Sequence, residues 1–459
     1  MENTKLHFDF SPLTPKEWKQ KIQVDLKGAD YNESLVWESP EGIKVKPFYH
    51  QEDTGHDSIS AANCPQPWHL GEFIRVENAE VANTKAMDIL KKGTESIVFR
   101  ISSEAMAPEI LLKGIDLKKI QLHFLLDFLS EEYLEAVVKS SPENPAGIFF
   151  HTDILGNLAR TGNWYTGQKE DHDTWDEILK KYGQKQGFHC YSVDMSLYQN
   201  AGANSVQQLA YGLAHIHEYI NHSEGKNIGQ AVFYVAVGSD YFFEIAKLRA
   251  LRILYSTLAK DYGLSTDCHI LAVPSHRNKT LYDYNTNMLR TTTECMSAVL
   301  GNADTVVNMP YDALYHHHND FGDRIARNQL LLLKEESHLD KVSNPAAGSY
   351  YIETITRQLA EKALQLFKQI EAGGGFLAQL RNHNIQKKIA DNAKKEQQAF
   401  DQQERILVGT NKYQNPEDRM KNDLEIDPFR KIRRRKTLIE PILERRLAEG
   451  IEKTRLENE

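Results

Sequence analysis

Histidines, carboxylates and hydroxyl residues recur just after runs of β-forming residues. His151 with Asp153, Asp194 with Ser196, Ser239 with Asp240, Ser275 with His276, and Asn308 all stand in such places. If the runs are parallel strands of one barrel, these residues gather at the strand C-terminal ends, where barrel enzymes keep their reacting groups. His151, Asp153 and His276 would then make a plausible acid/base set. A hydrogen-bonded polar rim accounts for them equally well, and nothing local chooses between the two readings. His316-His317-His318, followed by Asp320 and Asp323, has the residue types of a metal site. Adjacent histidines on a helix point in different directions, and no i, i+4 pair completes a ligand set, so an exposed helix start is the expected role. Cys64, Cys190, Cys268 and Cys295 form no CxxC pair, which supports neither a zinc module nor a disulfide framework. Four free thiols fit a reducing cytosol and read as buried, inert side chains.

Strands and helices must position those groups. The expected strands are Glu72–Val76, Ser96–Ile101, Leu122–Leu126, Gly147–His151, Cys190–Met195, Ala231–Val237, His269–Val273 and Thr305–Met309. Helical patterns lie between them, clearest over Val206–Ile220, Tyr241–Ala259, Asn285–Leu300 and Asp323–Glu336. Eight strands alternating with helices predict a parallel sheet closed as a (β/α)8 TIM barrel, an α/β fold. The barrel should occupy residues 66–350. Residues 1–65 read as an extended arm, opened by a short helix in which Thr14 caps Pro15 and Trp18, Ile22 and Leu26 share a face. That arm has too few apolar residues to fold alone. Residues 351–413 form a helical segment, with Thr356–Ala372 amphipathic and Gln386–Ile406 rich in Lys and Gln. Gly373-Gly374-Gly375 follows a helix and has no Lys-Ser/Thr, so it is a break and not a phosphate loop. Residues 414–459 read as a linker and a basic helical tail around Arg430–Lys436 (RKIRRRK), where Glu440, Glu444 and Glu449 soon return the charge.

The composition narrows the function classes. The 459 residues carry 55 Lys+Arg against 64 Asp+Glu, a net charge of −9. That balance argues against affinity built on phosphate neutralisation, so no nucleic-acid partner is expected. No apolar run approaches the roughly 20 residues that span a bilayer. The N-terminus, MENTKLHFDF, has no charged n-region followed by an apolar one. No membrane association is expected, and the expected location is cytoplasmic.

Longer stretches carry a resemblance. Asp240–Ser256 (DYFFEIAKLRALRILYS), Tyr284–Gly301 (YNTNMLRTTTECMSAVLG), Asp323–Ser337 (DRIARNQLLLLKEES), Pro345–Glu353 (PAAGSYYIE), Gln199–Ala203 (QNAGA) and Ile406–Tyr413 (ILVGTNKY) resemble the methylmalonyl-CoA mutase family. Glu17–Tyr49, with its W, DLKG, EGI and KPFY elements, is similar to the N-terminal segment of the small subunit of heterodimeric members. Together these cover most of residues 15–413 in the family's order. The resemblance implies radical isomerisation of succinyl-CoA and methylmalonyl-CoA. Adenosylcobalamin would lie between a barrel threaded by the CoA arm and a flavodoxin-like domain whose DxHxxG motif supplies a histidine to cobalt.

Matched position by position, most of the implied machinery is altered. Ser196 and Leu197 stand where the catalytic subunit has a Tyr-His pair ahead of its MQEAGA motif, which appears here as Gln199–Ala203. Leu197 cannot donate a hydrogen bond to a thioester carbonyl. A glutamine-asparagine pair of the family appears as His151-Thr152, and an arginine of the following helix corresponds to Arg160. Gly55–Pro67 lacks the tyrosine that shields the radical, and the THRGYDSD loop has no counterpart after Ile101. Asp267-Cys268-His269-Ile270-Leu271-Ala272 approaches DxHxxG but has Ala at the glycine position and lies on a barrel strand, a coincidence. The barrel strands are bulky at Val98-Phe99, His123-Phe124-Leu125, Phe149-Phe150 and Phe233-Tyr234. Strand side chains alternate, so some must point inward, and a filled barrel with no substrate channel is expected.

The resulting expectation is a small, non-catalytic subunit without a cobalamin-binding domain, with no catalytic, cofactor-binding or metal residues of its own. His151, Arg160, Ser196, Leu197 and Gln199 would be vestiges of a substrate site. Adenosylcobalamin would sit on a separate large catalytic subunit, the expected partner. The alternative is an active acyl-CoA mutase barrel that uses a cobalamin domain on another chain. A third possibility is a scaffold for the mutase's G-protein chaperone.

Overall fold

The computed structural model describes residues 13–54, 67–429 and 435–459. Eight parallel strand positions form one ring: β1 (His69–Val76), β2 (Ser96–Ile101), β3 (Gln121–Leu126), β4 (Ile148–Phe150), β5 (Phe188–His189, resuming as Tyr191–Asp194), β6 (Ala231–Val237), β7 (Cys268–Pro274) and β8 (Thr305–Val307). Neighbours pair in chain order, and β8 returns to β1 through Thr305↔His69. The ring closes through β5, whose first part pairs with β4 and whose second part pairs with β6. This is the expected TIM barrel.

The expected strand Cys190–Met195 differs in one respect. His189 packs inside the barrel, and so does Ser192, three residues later. Strict alternation would put them on opposite faces, so the break at Cys190 inserts one residue, as a bulge does.

Alternation sorts the remaining side chains. Ile97, Phe99, Ile101, Leu122, Phe124, Ile148, Phe150, Val193 and Phe233 face the surrounding helices in the main core. Val98, Leu271 and Val307, with Phe73, Leu125, Tyr234 and Val273, form a separate apolar cluster inside the ring. Phe149 closes the axis. Its ring centroid lies 4.4 Å from that of His123, 4.5 Å from His189 and 4.1 Å from His269. The expectation of a filled interior therefore has a specific plug.

The arm uses the barrel for its core. A capping box joins Thr14 and Glu17 at the start of the helix Pro15–Asp25, which buries none of its own residues. Further along, Trp37 packs edge-on to Phe243 at 5.7 Å, Ile43 is buried, and Arg357 donates to the Asp53 carbonyl at 2.6 Å. Trp18 and Trp37 stay about half exposed, at 47% and 48%.

Three helical expectations are corrected. The helix expected over Asp323–Glu336 starts at Asp320 and ends in a π-turn, Leu332–Glu336. The Lys/Gln-rich helix stops at Asp401. Among the described residues the tail is helical over Glu449–Glu457, and the amides before it bond to the barrel. Leu438 N–H reaches the Gly162 carbonyl (2.9 Å), Ile442 that of Ala159 (2.8 Å), Arg445 that of Asn200 (3.1 Å) and Leu447 that of Arg277 (2.9 Å). Pro441 has no N–H to offer a helix. Residues 437–447 thus run as a strap over the barrel mouth.

Candidate functional site

The strap and the C-terminal ends of the strands enclose a cavity of about 740 Å³. Among the expected residues, His151, Asp153, Arg160, Asp194, Ser196 and His276 line it. Each carboxylate there is already committed. Asp153 caps the helix Ile154–Thr161 by accepting from the Gly156 amide (2.8 Å), and it also accepts from the Asp194 amide (2.8 Å) and the Tyr219 hydroxyl (2.7 Å). His215 Nε2 lies 2.8 Å away. Burial pushes the Asp153 carboxyl up, but the charge and hydrogen bond of His215, with the two amides, outweigh it and hold the group below the usual carboxylate range. A carboxylate so held is a positioning element and not a proton shuttle.

His151 is also occupied. Its Nε2 lies 3.2 Å from His123 Nδ1, one ring donating to the other. Burial drives it down to about 4, with Asp153 opposing, so it is neutral at pH 7. Ser196 donates to Asp194 Oδ1 from its hydroxyl (2.5 Å) and its amide (2.9 Å). Arg160 bridges Asp194 on β5 and Glu444 on the strap, the latter at 2.7 Å. Asn200 completes the corner, with Nδ2 3.3 Å from Glu444 Oε1 and Oδ1 accepting from the Ser275 hydroxyl (2.9 Å) and the His276 amide (3.0 Å).

Two expected residues lie elsewhere. Leu197 is buried in the main apolar core. Gln199 bonds to Gln208, which in turn accepts from Lys247 (2.9 Å), a network behind the mouth and not in it. Asn308 is a structural clasp, donating to the Ala326 carbonyl (3.0 Å) and to Gln329 (2.8 Å). The three histidines precede the helix Asp320–Leu331 instead of opening it, and they diverge. His316 faces Asp312 (3.3 Å), while His318 faces Asp323 (3.0 Å). Among the described residues, no group of three or more His, Cys, Asp or Glu could hold a metal ion. Cys190, Cys268 and Cys295 are free and buried, and burial pushes their thiols up, that of Cys268 to about 12. Cys64 and all but the last residue of the Gly55–Pro67 stretch lie outside the described residues.

Sequence reasoning missed the strap residues Glu444, Arg445 and Arg446 and the β-strand residues Ser192 and Tyr234, all of which line the cavity. Alternation along Tyr191–Asp194 pointed to Ser192, but the bulge hid the parity. For the strap there was no local signal.

The methylmalonyl-CoA mutase family model matches residues 101–454. The methylmalonyl-CoA mutase small subunit of Porphyromonas gingivalis is 34% identical over 455 residues, which cover 90% of this chain and 72% of that one. The chain belongs to the methylmalonyl-CoA mutase family. Other relatives include the mutase of Rhizobium meliloti, 28% identical over 90% of this chain and 65% of that one. The small subunit of Streptomyces virginiae is 30% identical over 83% of this chain and 67% of that one.

This family depends on cobalamin, and the mouth residues do not fit that group. Residues 437–447 cross the barrel mouth, the face against which a corrinoid would have to lie, and leave a cavity of about 740 Å³ beneath them. The histidines inside the ring stack on Phe149 instead of facing an open surface. No chemical step is derived through a cofactor on this chain.

Proposed function

We propose that this chain is the small, non-catalytic subunit of a heterodimeric methylmalonyl-CoA mutase. In this reading a separate large subunit holds adenosylcobalamin and interconverts succinyl-CoA and methylmalonyl-CoA. The observation that carries the reading is the plugged axis. Phe149, ringed at 4.1–4.5 Å by His123, His189 and His269, fills the route along which a pantetheine arm would have to thread. The committed carboxylates at the mouth and the buried Leu197 support it, because neither offers a substrate a free donor or base.

Residues 1–65 would be the subunit-contact arm, with residues 66–350 the barrel and 351–413 its closing helices. The half-exposed indoles of Trp18 and Trp37 suit a contact of that kind, since aromatic side chains are enriched at interfaces. The chain should be purified alone and with its large subunit and assayed with adenosylcobalamin and methylmalonyl-CoA. Turnover is expected only with the large subunit present. Cobalamin-dependent turnover by the isolated chain would overturn the proposal.

A further inference from the structure

A second cavity, of about 1150 Å³, lies between the strap and the helix Asn384–Asp401 and ends at the helix Glu449–Glu457. Two bonds fix how its walls run. Gln386 Nε2 donates to the Glu440 carbonyl (3.0 Å), and Gln397 Nε2 donates to the Leu447 carbonyl (3.3 Å). The strap therefore runs alongside the helix in the same direction. Gln386, Ala390, Ala393, Lys394, Gln397 and Asp401 recur at helical spacing along one wall, so the cavity is a groove. Over that stretch a helix rises about 22 Å, or about four turns.

Between the two bonds the groove is lined by Ile389, Ala390, Ala393 and Leu443. Lys394 on the helix and Arg445 on the strap stand in the same interval. Both are exposed, and neither has an ion pair among the described residues. The carboxylates of the wall lie at its ends. Glu440 is at one end. At the other, Asp401 accepts from Gln397 (2.9 Å) and Glu449 accepts from the Arg446 amide (3.0 Å). Arg277 and Arg446 also line the groove, but they are committed to Glu396 and Glu452. The middle of the groove is thus apolar below and positive on both sides, in a chain whose net charge is −9.

The backbone decides which form of occupant fits. An extended segment needs a strand edge to pair with. The strap has no continuous edge to offer. The amides of Leu438, Ile442, Arg445 and Leu447 go to the barrel, that of Arg446 goes to Glu449, and Pro441 has none. A helix satisfies its own backbone and needs only side-chain contacts. The volume also exceeds the roughly 300–1,000 Å³ of a small-molecule pocket. Independently of the subunit reading, we propose that this groove docks an acidic amphipathic helix of a partner protein. Its carboxylates would meet Lys394 and Arg445, and its apolar stripe would lie on the floor between them.

The test uses the full chain and a labelled four-turn peptide whose leucines recur at i, i+3, i+4 and i+7, with glutamate elsewhere. Two further peptides serve as controls, one with lysine in place of glutamate and one with serine in place of leucine. Fluorescence anisotropy should show the leucine-glutamate peptide binding at least about tenfold tighter than either control, since both the charge and the stripe are needed. The double variant Lys394→Glu/Arg445→Glu should weaken that binding by about tenfold or more, because two attractions become repulsions. Lys113→Glu/Lys118→Glu changes the net charge equally at the opposite end of the barrel and should bind as wild type does. Should the first double variant misfold, Lys394→Gln/Arg445→Gln should show a smaller loss in the same direction. No binding of the leucine-glutamate peptide would overturn the proposal. So would equal affinity for a control peptide, or equal losses in the groove variants and the distant pair.

Discussion

Acid should destabilise this barrel from its axis outward, and His269→Gln should expose the effect. Burial drives His269 to about 3 and His151 to about 4, with Asp304 and Asp153 respectively opposing the shift. An unfolded imidazole titrates near 6.5. Both folded values lie below the unfolded one, so the neutral rings contribute their full stability above about pH 6.5. That contribution is lost as the pH falls and the unfolded chain takes up protons the folded one refuses. Between pH 7.5 and 5 each residue loses about 2 kcal/mol, about 4 kcal/mol together. His123, also held well below 6.5 by burial and by its histidine neighbours, adds to the same side. A loss of that size is a large part of the roughly 5–15 kcal/mol that holds a typical protein folded. His269 accepts or donates one bond, 3.2 Å from Thr305 Oγ1, which a glutamine amide can replace without titrating. Urea unfolding followed by tryptophan fluorescence at pH 7.5 and pH 5 measures the loss in wild type and variant. The variant should lose about 2 kcal/mol less than wild type over that range. Parallel losses in the two proteins would refute the neutral, buried histidine ring.

Three further outcomes follow from the same geometry. Phe149→Ala should cost about 3–5 kcal/mol in urea unfolding, because the stacked imidazoles cannot collapse into the space it leaves. Asp240→Asn should stabilise the chain at pH 7.5. Burial, with the charges of Glu41 and Glu244, raises that carboxyl to about 6, so ionising it opposes folding, and the gain should shrink between pH 6 and 4. Leu197→His should lower stability by about 2 kcal/mol through an unpaired buried imidazole, and a turnover assay of the isolated variant should stay at background.

The barrel was legible in the sequence, since eight apolar runs at helix-separated intervals leave few alternatives. Ser96–Ile101 and Ala231–Val237 match their strands to the residue. The strand ends blurred where tertiary bonds decide. β4 stops at Phe150, just before His151 brings its ring to His123, and β5 breaks at Cys190, where the ring closes. The residues of the mouth were legible as a list but not in their roles. Asp153 reads as an acid or base until Tyr219 and His215, both more than sixty positions downstream, are seen to saturate it. Contacts of that sequence separation leave no local pattern.

The tail illustrates the same limit in its strongest form. Glu440, Glu444 and Glu449 look like charge compensation for a basic helix, and a helix was the natural reading of that composition. The strap instead gives its amides to Gly162, Ala159, Asn200 and Arg277 and its Glu444 carboxylate to Arg160. Those acceptors are the free ends of the elements that ring the mouth, and unsatisfied backbone groups there would be costly if buried. The strap is therefore held by what the barrel mouth leaves unbonded. With Leu125, Tyr234 and Val273 of the inner cluster on one side and the strap on the other, the cavity between them is bounded by this chain's own residues.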